Sequence, residues 1–136
     1  MHQRRLTTDQ ALTALESTLS QVDHAQRNSL DAGARLALMQ RARRLSERLQ
    51  SLAMVLTDDV NQAQASMKAT GTPLTSLISV TEQRDSRQAA AEVFQARDVA
   101  AHQQIRDAAL AGEVSPEHAV AITKGMAQLP AELSAE

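Results

Sequence analysis

Cysteine, tryptophan and tyrosine are absent from this chain, Phe94 is its only aromatic residue, and three prolines and four glycines are all it has. Without cysteine there are no disulfides and no thiolate metal sites, which fits a reducing, cytoplasmic setting. The alternation of β-branched and aromatic residues that marks strands is missing as well. No uninterrupted apolar run approaches a membrane span, and no basic–apolar–cleavage pattern opens the chain, so no membrane association is expected. What remains is a leucine- and alanine-rich sequence of 136 residues, a length that fits one domain. A core of Leu, Val, Ile, Met and Ala without large rings suits closely packed helices. The expected fold is all-α: a long helical hairpin over 1–70, then a bundle of short helices with helix–turn–helix-like corners over 71–136, together one cooperative domain.

Thr7-Thr8-Asp9-Gln10 has capping-box spacing, with Leu6 outside as a staple. Leu12, Leu15, Leu19 and Val22 follow at intervals of three and four, which predicts a helix over 8–27. Asn28-Ser29 offers the next cap. Leu38, Ala42, Leu45, Leu49, Leu52 and Leu56 then alternate steps of four and three, and Val60, Ala63 and Met67 extend the seam. One helix is predicted over 30–69, roughly 60 Å long at 1.5 Å per residue. Gly71 is its expected stop, with Thr72 capping the next helix and Pro73 in its first turn. Such a leucine seam must be buried on a partner. The first helix is too short to cover all of it, so the rest falls to the C-terminal helices or to a second copy of the chain. A homodimer is expected, with Leu38, Leu45, Leu49, Leu52 and Leu56 as its candidate interface.

Short helices are predicted near 73–82, 86–100, 102–111 and 116–129. Their apolar faces are Leu74, Leu77 and Ile78; Ala89, Val93, Ala96 and Val99; Ile105, Ala109 and Leu110; and Ala119, Ile122, Met126 and Leu129. Two corners join them, at Arg84–Ser86 and at Gly112–Ser115. In the second, Gly112 can adopt the left-handed conformation that closes a helix, Ser115 caps the next, and Pro116 suits its first turn.

The words of that corner, Ala108-Ala109-Leu110-Ala111-Gly112-Glu113-Val114-Ser115-Pro116-Glu117-His118-Ala119, with Leu129-Pro130 after a helix, resemble the actinobacterial 13E12-repeat family. The likeness extends upstream through Arg84-Asp85-Ser86-Arg87-Gln88-Ala89, with Val93, Ala96 and Val99 behind it. Leu77 stands where an apolar aromatic is common in the family, and the N-terminal half shares only its general character. The resemblance implies a helical domain of unknown function, commonly followed by an HNH endonuclease domain. The Leu110-to-Ala119 wording is also similar to the DNA-binding part of ParB-type partition proteins.

The catalytic part of such a nuclease is not expected in this chain. An HNH site holds its metal on a ββα hairpin. His2, His24, His102 and His118 are scattered, and no strand-like run is there to carry them. No enzyme activity, cofactor, metal or small-molecule substrate is therefore expected. Net charge is −2, but Arg35, Arg41, Arg43, Arg44 and Arg48 face only Glu47 within residues 35–48. Arg41, Arg44 and Arg48 share one helical face. They are the candidate phosphate contacts, with Arg87 and Arg97 as secondary ones. In the second corner, His118, Thr123 and Lys124 are the available donors. Both corners are ringed by acids such as Glu82, Asp85, Glu92, Asp98, Glu113 and Glu117, and a reader that repels phosphate is a poor one. Two functions stay open, the first of them favoured by the resemblance. One is a DNA-associated accessory domain that binds duplex DNA weakly and electrostatically. The other is a coiled-coil-like self-association or protein-interaction module with no DNA contact.

Overall fold

The computed structural model describes residues 5–82 and 85–128, and every regular element among them is helical. The order is α1 (Thr8–Ser20), a 3-10 turn (Ala25–Ser29), α2 (Ala32–Gln62), α3 (Ala65–Thr70), α4 (Leu74–Thr81), α5 (Ser86–Ala101), α6 (Gln103–Ala111) and α7 (Pro116–Ala127). The all-α expectation holds. No helix among the described residues is long and apolar enough to cross a membrane. His2, Arg84, Leu129, Pro130, Glu132 and Glu136 lie outside the described residues.

By its contacts the chain groups into two compact units, Met1–Met39 and Gln40–Glu136. In the first, the capping box at Thr7 and Gln10 forms as expected. The helix it starts is shorter than the predicted 8–27. It ends at Ser20, and the Asp23 carboxylate accepts from Ala25 N–H, an alternative to helical bonding that Asp readily offers. Asn28 and Ser29 do not cap α2. Asp31 does, accepting from Ala34 N–H at 2.8 Å. No residue of α1 is buried, and Leu15 and Leu19 stand open to solvent.

The predicted 30–69 helix is broken. α2 ends at Gln62, Gln64 turns left-handed (φ 50°, ψ 36°), and α3 starts at Ala65. The cause is local. Asp58, Asp59, Val60 and Asn61 are all weak helix formers, and two carboxylates near a helix C-terminus oppose its dipole. Gly71 closes α3 at φ 71°. The cap of α4 is Pro73 rather than Thr72; Pro73 O accepts from Leu77 N–H as the helix begins.

The second unit has two small cores. Ile78, Ala89 and Val93 form one, with Leu74 against them; Val99, Ala109 and Ala119 form the other, with Met54, Ile105, Val114 and Val120 packed around it. On α5 the buried residues are Ala89, Val93, Ala96 and Val99, the predicted face. On α7 they are Pro116, Ala119 and Thr123, so the expected inward Ile122 is instead 41% exposed. Small residues at the contacts let these short helices approach closely. Thr123 tolerates burial because its hydroxyl donates to Val120 O.

Candidate interaction faces of the long helix

The residues of α2 from Gln40 onward present three faces with different tasks. A helix turns about 100° per residue, so Leu45, Leu49, Leu52 and Leu56 fall within about 60° of one another. Ser51, Met54 and Asp58 lie about 130–170° around the helix from them. This far side is the one turned inward. Ser51 is only 2% exposed, and Met54 packs on the Val99–Ala109–Ala119 core. Among the described residues, neither Ser51 Oγ nor the buried Asp58 Oδ1 has a hydrogen-bond partner.

The leucine face is thus left on the outside. Leu45 is 58% exposed and Leu49 44%, while Leu52 and Leu56 are half-buried. Leu38, on the same helix, is exposed too. The C-terminal helices, one of the two partners foreseen for the seam, take the opposite face of α2.

Between the two faces runs the basic row. Arg41, Arg44 and Arg48 line a cleft of about 300 Å³ with Leu45, Ala111 and Gly112. Arg48 is committed there: its Nε donates to Leu110 O at 3.1 Å, at the C-terminal end of α6, where a cation meets the negative end of the helix dipole. Its methylene stem lies over Gly112, so close that a Cβ on Gly112 would stand 2.9 Å from Arg48 Cδ. Gly112 is left-handed (φ 83°), as expected of the stop of α6. Arg41 and Arg44 are exposed.

The other candidate cations sit on α5. Asp85 caps that helix through Gln88 N–H, and Arg87 is exposed in its first turn. The Arg97 guanidinium stacks on the Phe94 ring, 4.4 Å from its centroid. Phe94 itself is 55% exposed, so the sole aromatic residue is no part of the core. At the second corner Ser115 Oγ accepts from His118 N–H, as the sequence predicts. Thr123, expected as a donor there, is buried and bonded to its own helix.

His24 and His102 each have a partner of their own. Arg27 Nη2 donates to His24 Nδ1, and His102 Nδ1 donates to Asp98 O. No group of three or more His, Cys, Asp or Glu side chains that could hold a metal ion occurs among the described residues. Ser51, Asp31 and the exposure of Phe94 were missed by sequence reasoning. Asp31 carries a recognisable signal, an Asp three residues before Ala34 at a helix start; the others carry none.

No family model, no curated protein and no solved structure matches this chain.

Proposed function

We propose that the chain is a non-catalytic helical module that pairs with a second copy of itself through the leucine face of α2. One observation carries this reading: Leu45 and Leu49 are exposed on the face of α2 turned away from the buried Ser51 and from Met54, which packs on the Val99–Ala109–Ala119 core. Leaving a leucine stripe in water costs about 25 cal/mol per Å² of apolar surface, and a second identical stripe removes that cost. Sedimentation of the purified chain over a range of concentrations tests it. A dimer is expected, and a well-folded monomer throughout rejects the pairing.

A second reading is favoured by the basic row. Exposed Arg41 and Arg44, with Arg87 and Arg97 as secondary contacts, give the module a weak, salt-sensitive grip on duplex DNA. The likeness of the Ala108–Ala119 corner to 13E12-repeat proteins supports a place beside a nuclease, as an accessory domain. The chain itself is not the nuclease: incubated with duplex DNA and a divalent cation, it leaves the DNA uncut. Cleavage that co-purifies with the chain and disappears in His118→Ala overturns that assignment.

A further inference from the structure

We infer that the cleft between α2 and the end of α6 is a binding site for a terminal phosphate group, the monoester that closes a nucleic-acid strand or a phosphorylated small molecule. This rests on the second reading above in taking Arg41 and Arg44 as phosphate contacts, and adds which kind of phosphate they meet. Three arginines line the cleft, Arg41, Arg44 and Arg48, together with Leu45, Ala111 and Gly112. Among the described residues no carboxylate lines it; Glu47 and Glu113, the acids nearest in sequence, are outside the lining. Arg41 and Arg44 have no hydrogen-bond or ion-pair partner among the described residues.

Arg48 supplies the fixed wall. Its Nε is committed to Leu110 O at 3.1 Å, and its stem is seated over Gly112, where a Cβ would stand 2.9 Å from Cδ. A guanidinium carries five N–H donors, so those on the two Nη atoms stay available. The same bond removes an obstacle: the carbonyl end of α6 repels anions, and Arg48 neutralises it there. Arg41, Arg44 and Arg48 follow at steps of three and four on one face of α2, so like charges are held together. An anion in the cleft relieves that repulsion, and each planar guanidinium can meet two phosphate oxygens at once. Size then selects the kind of phosphate. At about 300 Å³ the cleft is at the small end of ligand sites, which run from roughly 300 to 1,000 Å³. A diester inside a strand is flanked by sugar on both sides and carries one negative charge. A monoester is attached on one side only, and near pH 7 it brings about 1.5–2 negative charges to the three guanidiniums.

Anisotropy and calorimetry on the full chain test the site. The probes are a DNA duplex labelled at one 3′ end with 5′-phosphate ends, the same duplex with 5′-hydroxyl ends, and adenosine 5′-monophosphate with adenosine as its blank. The phosphorylated duplex is expected to bind about tenfold tighter than the hydroxyl one, the gain from a charge-assisted hydrogen bond. Arg44→Ala should remove that preference. Arg43→Ala deletes the same charge from an exposed position of α2 outside the cleft and should keep it. Circular dichroism checks that both variants stay folded. Mononucleotide binding without a preference between duplexes assigns the site to free phosphorylated molecules, and a preference confined to the duplex assigns it to strand ends; either supports the cleft. Equal binding of both duplexes with no mononucleotide binding overturns the terminal-phosphate site and leaves the DNA reading standing. An equal loss in Arg43→Ala and Arg44→Ala also overturns the site, because net charge then explains the binding. No binding of any probe overturns the site and the DNA reading together.

Discussion

Gly112 and Gly125 show how differently the same residue acts in two places. Gly112 is left-handed and lies under the Arg48 stem, so Gly112→Ala suffers twice: the conformation costs about 1–2 kcal/mol, and the new methyl pushes Arg48 off Leu110 O. Gly71 is left-handed with open space around it, so Gly71→Ala suffers the conformational cost alone. Gly125 sits inside α7 with nothing near its missing Cβ, and Gly125→Ala is expected to stabilise by about 0.5–1 kcal/mol. Urea titrations of the three variants should rank them Gly125→Ala, Gly71→Ala, Gly112→Ala, from most to least stable; a Gly112→Ala variant as stable as Gly71→Ala contradicts the Arg48 contact. Ser51 gives a second check. Its buried Oγ lacks a partner among the described residues, so Ser51→Ala should leave stability unchanged or raise it by up to about 1 kcal/mol. A loss of stability would mean that the hydroxyl has a bond.

At the scale of elements, the helix starts were the more legible ends. The Thr7 box and the Ser115 cap were readable because a cap needs one side chain at one position. The ends of α1 and α2 were not. An apolar seam continues past Gln62 through Ala63 and Met67, while the backbone stops for reasons written in Asp58, Asp59 and Asn61. Periodicity says which face would be apolar if the helix continued, not whether it does. The left-handed Gln64 at the break provides a test. Gln64→Gly relieves that conformation and should stabilise by about 0.5–1 kcal/mol in thermal or urea unfolding. A marked loss instead would show that residues 62–65 are helical in solution, with α2 running on into α3.

For the whole molecule, what matters is which face of α2 serves the core. Leu45→Glu and Leu49→Glu place charge on the outer face, so both variants should sediment as monomers while keeping the wild-type circular dichroism. Val99→Glu, in the Val99–Ala109–Ala119 core, should abolish the cooperative transition. If Leu49→Glu unfolds as Val99→Glu does, the leucine face is internal core and the dimer reading fails. DNA affinity, if measured by anisotropy, should fall with salt at a log–log slope of about −2 to −3. That is shallower than the −3 to −4 expected with three or four phosphates, because Arg48 is held by Leu110 O. Arg41→Ala with Arg44→Ala should remove most of the binding, whereas Arg48→Ala should act mainly on stability. Equal binding by the double variant would mark the basic row as a solvated face.

By itself the sequence determined the helical class, the buried face of α5, the Gly112–Ser115 corner and the existence of a leucine seam. Each of these follows from local chemistry: propensity, capping, left-handed glycine, or a spacing of three and four. Only the tertiary structure decided which way α2 faces. An apolar seam carries no label for its partner, and here the face turned to the Val99–Ala109–Ala119 core is the one that carries Met54 and the buried Ser51. The same packing ties Arg48 to Leu110 O, 62 residues on, and buries Thr123 of α7, because burial and such distant partners depend on neighbours remote in sequence.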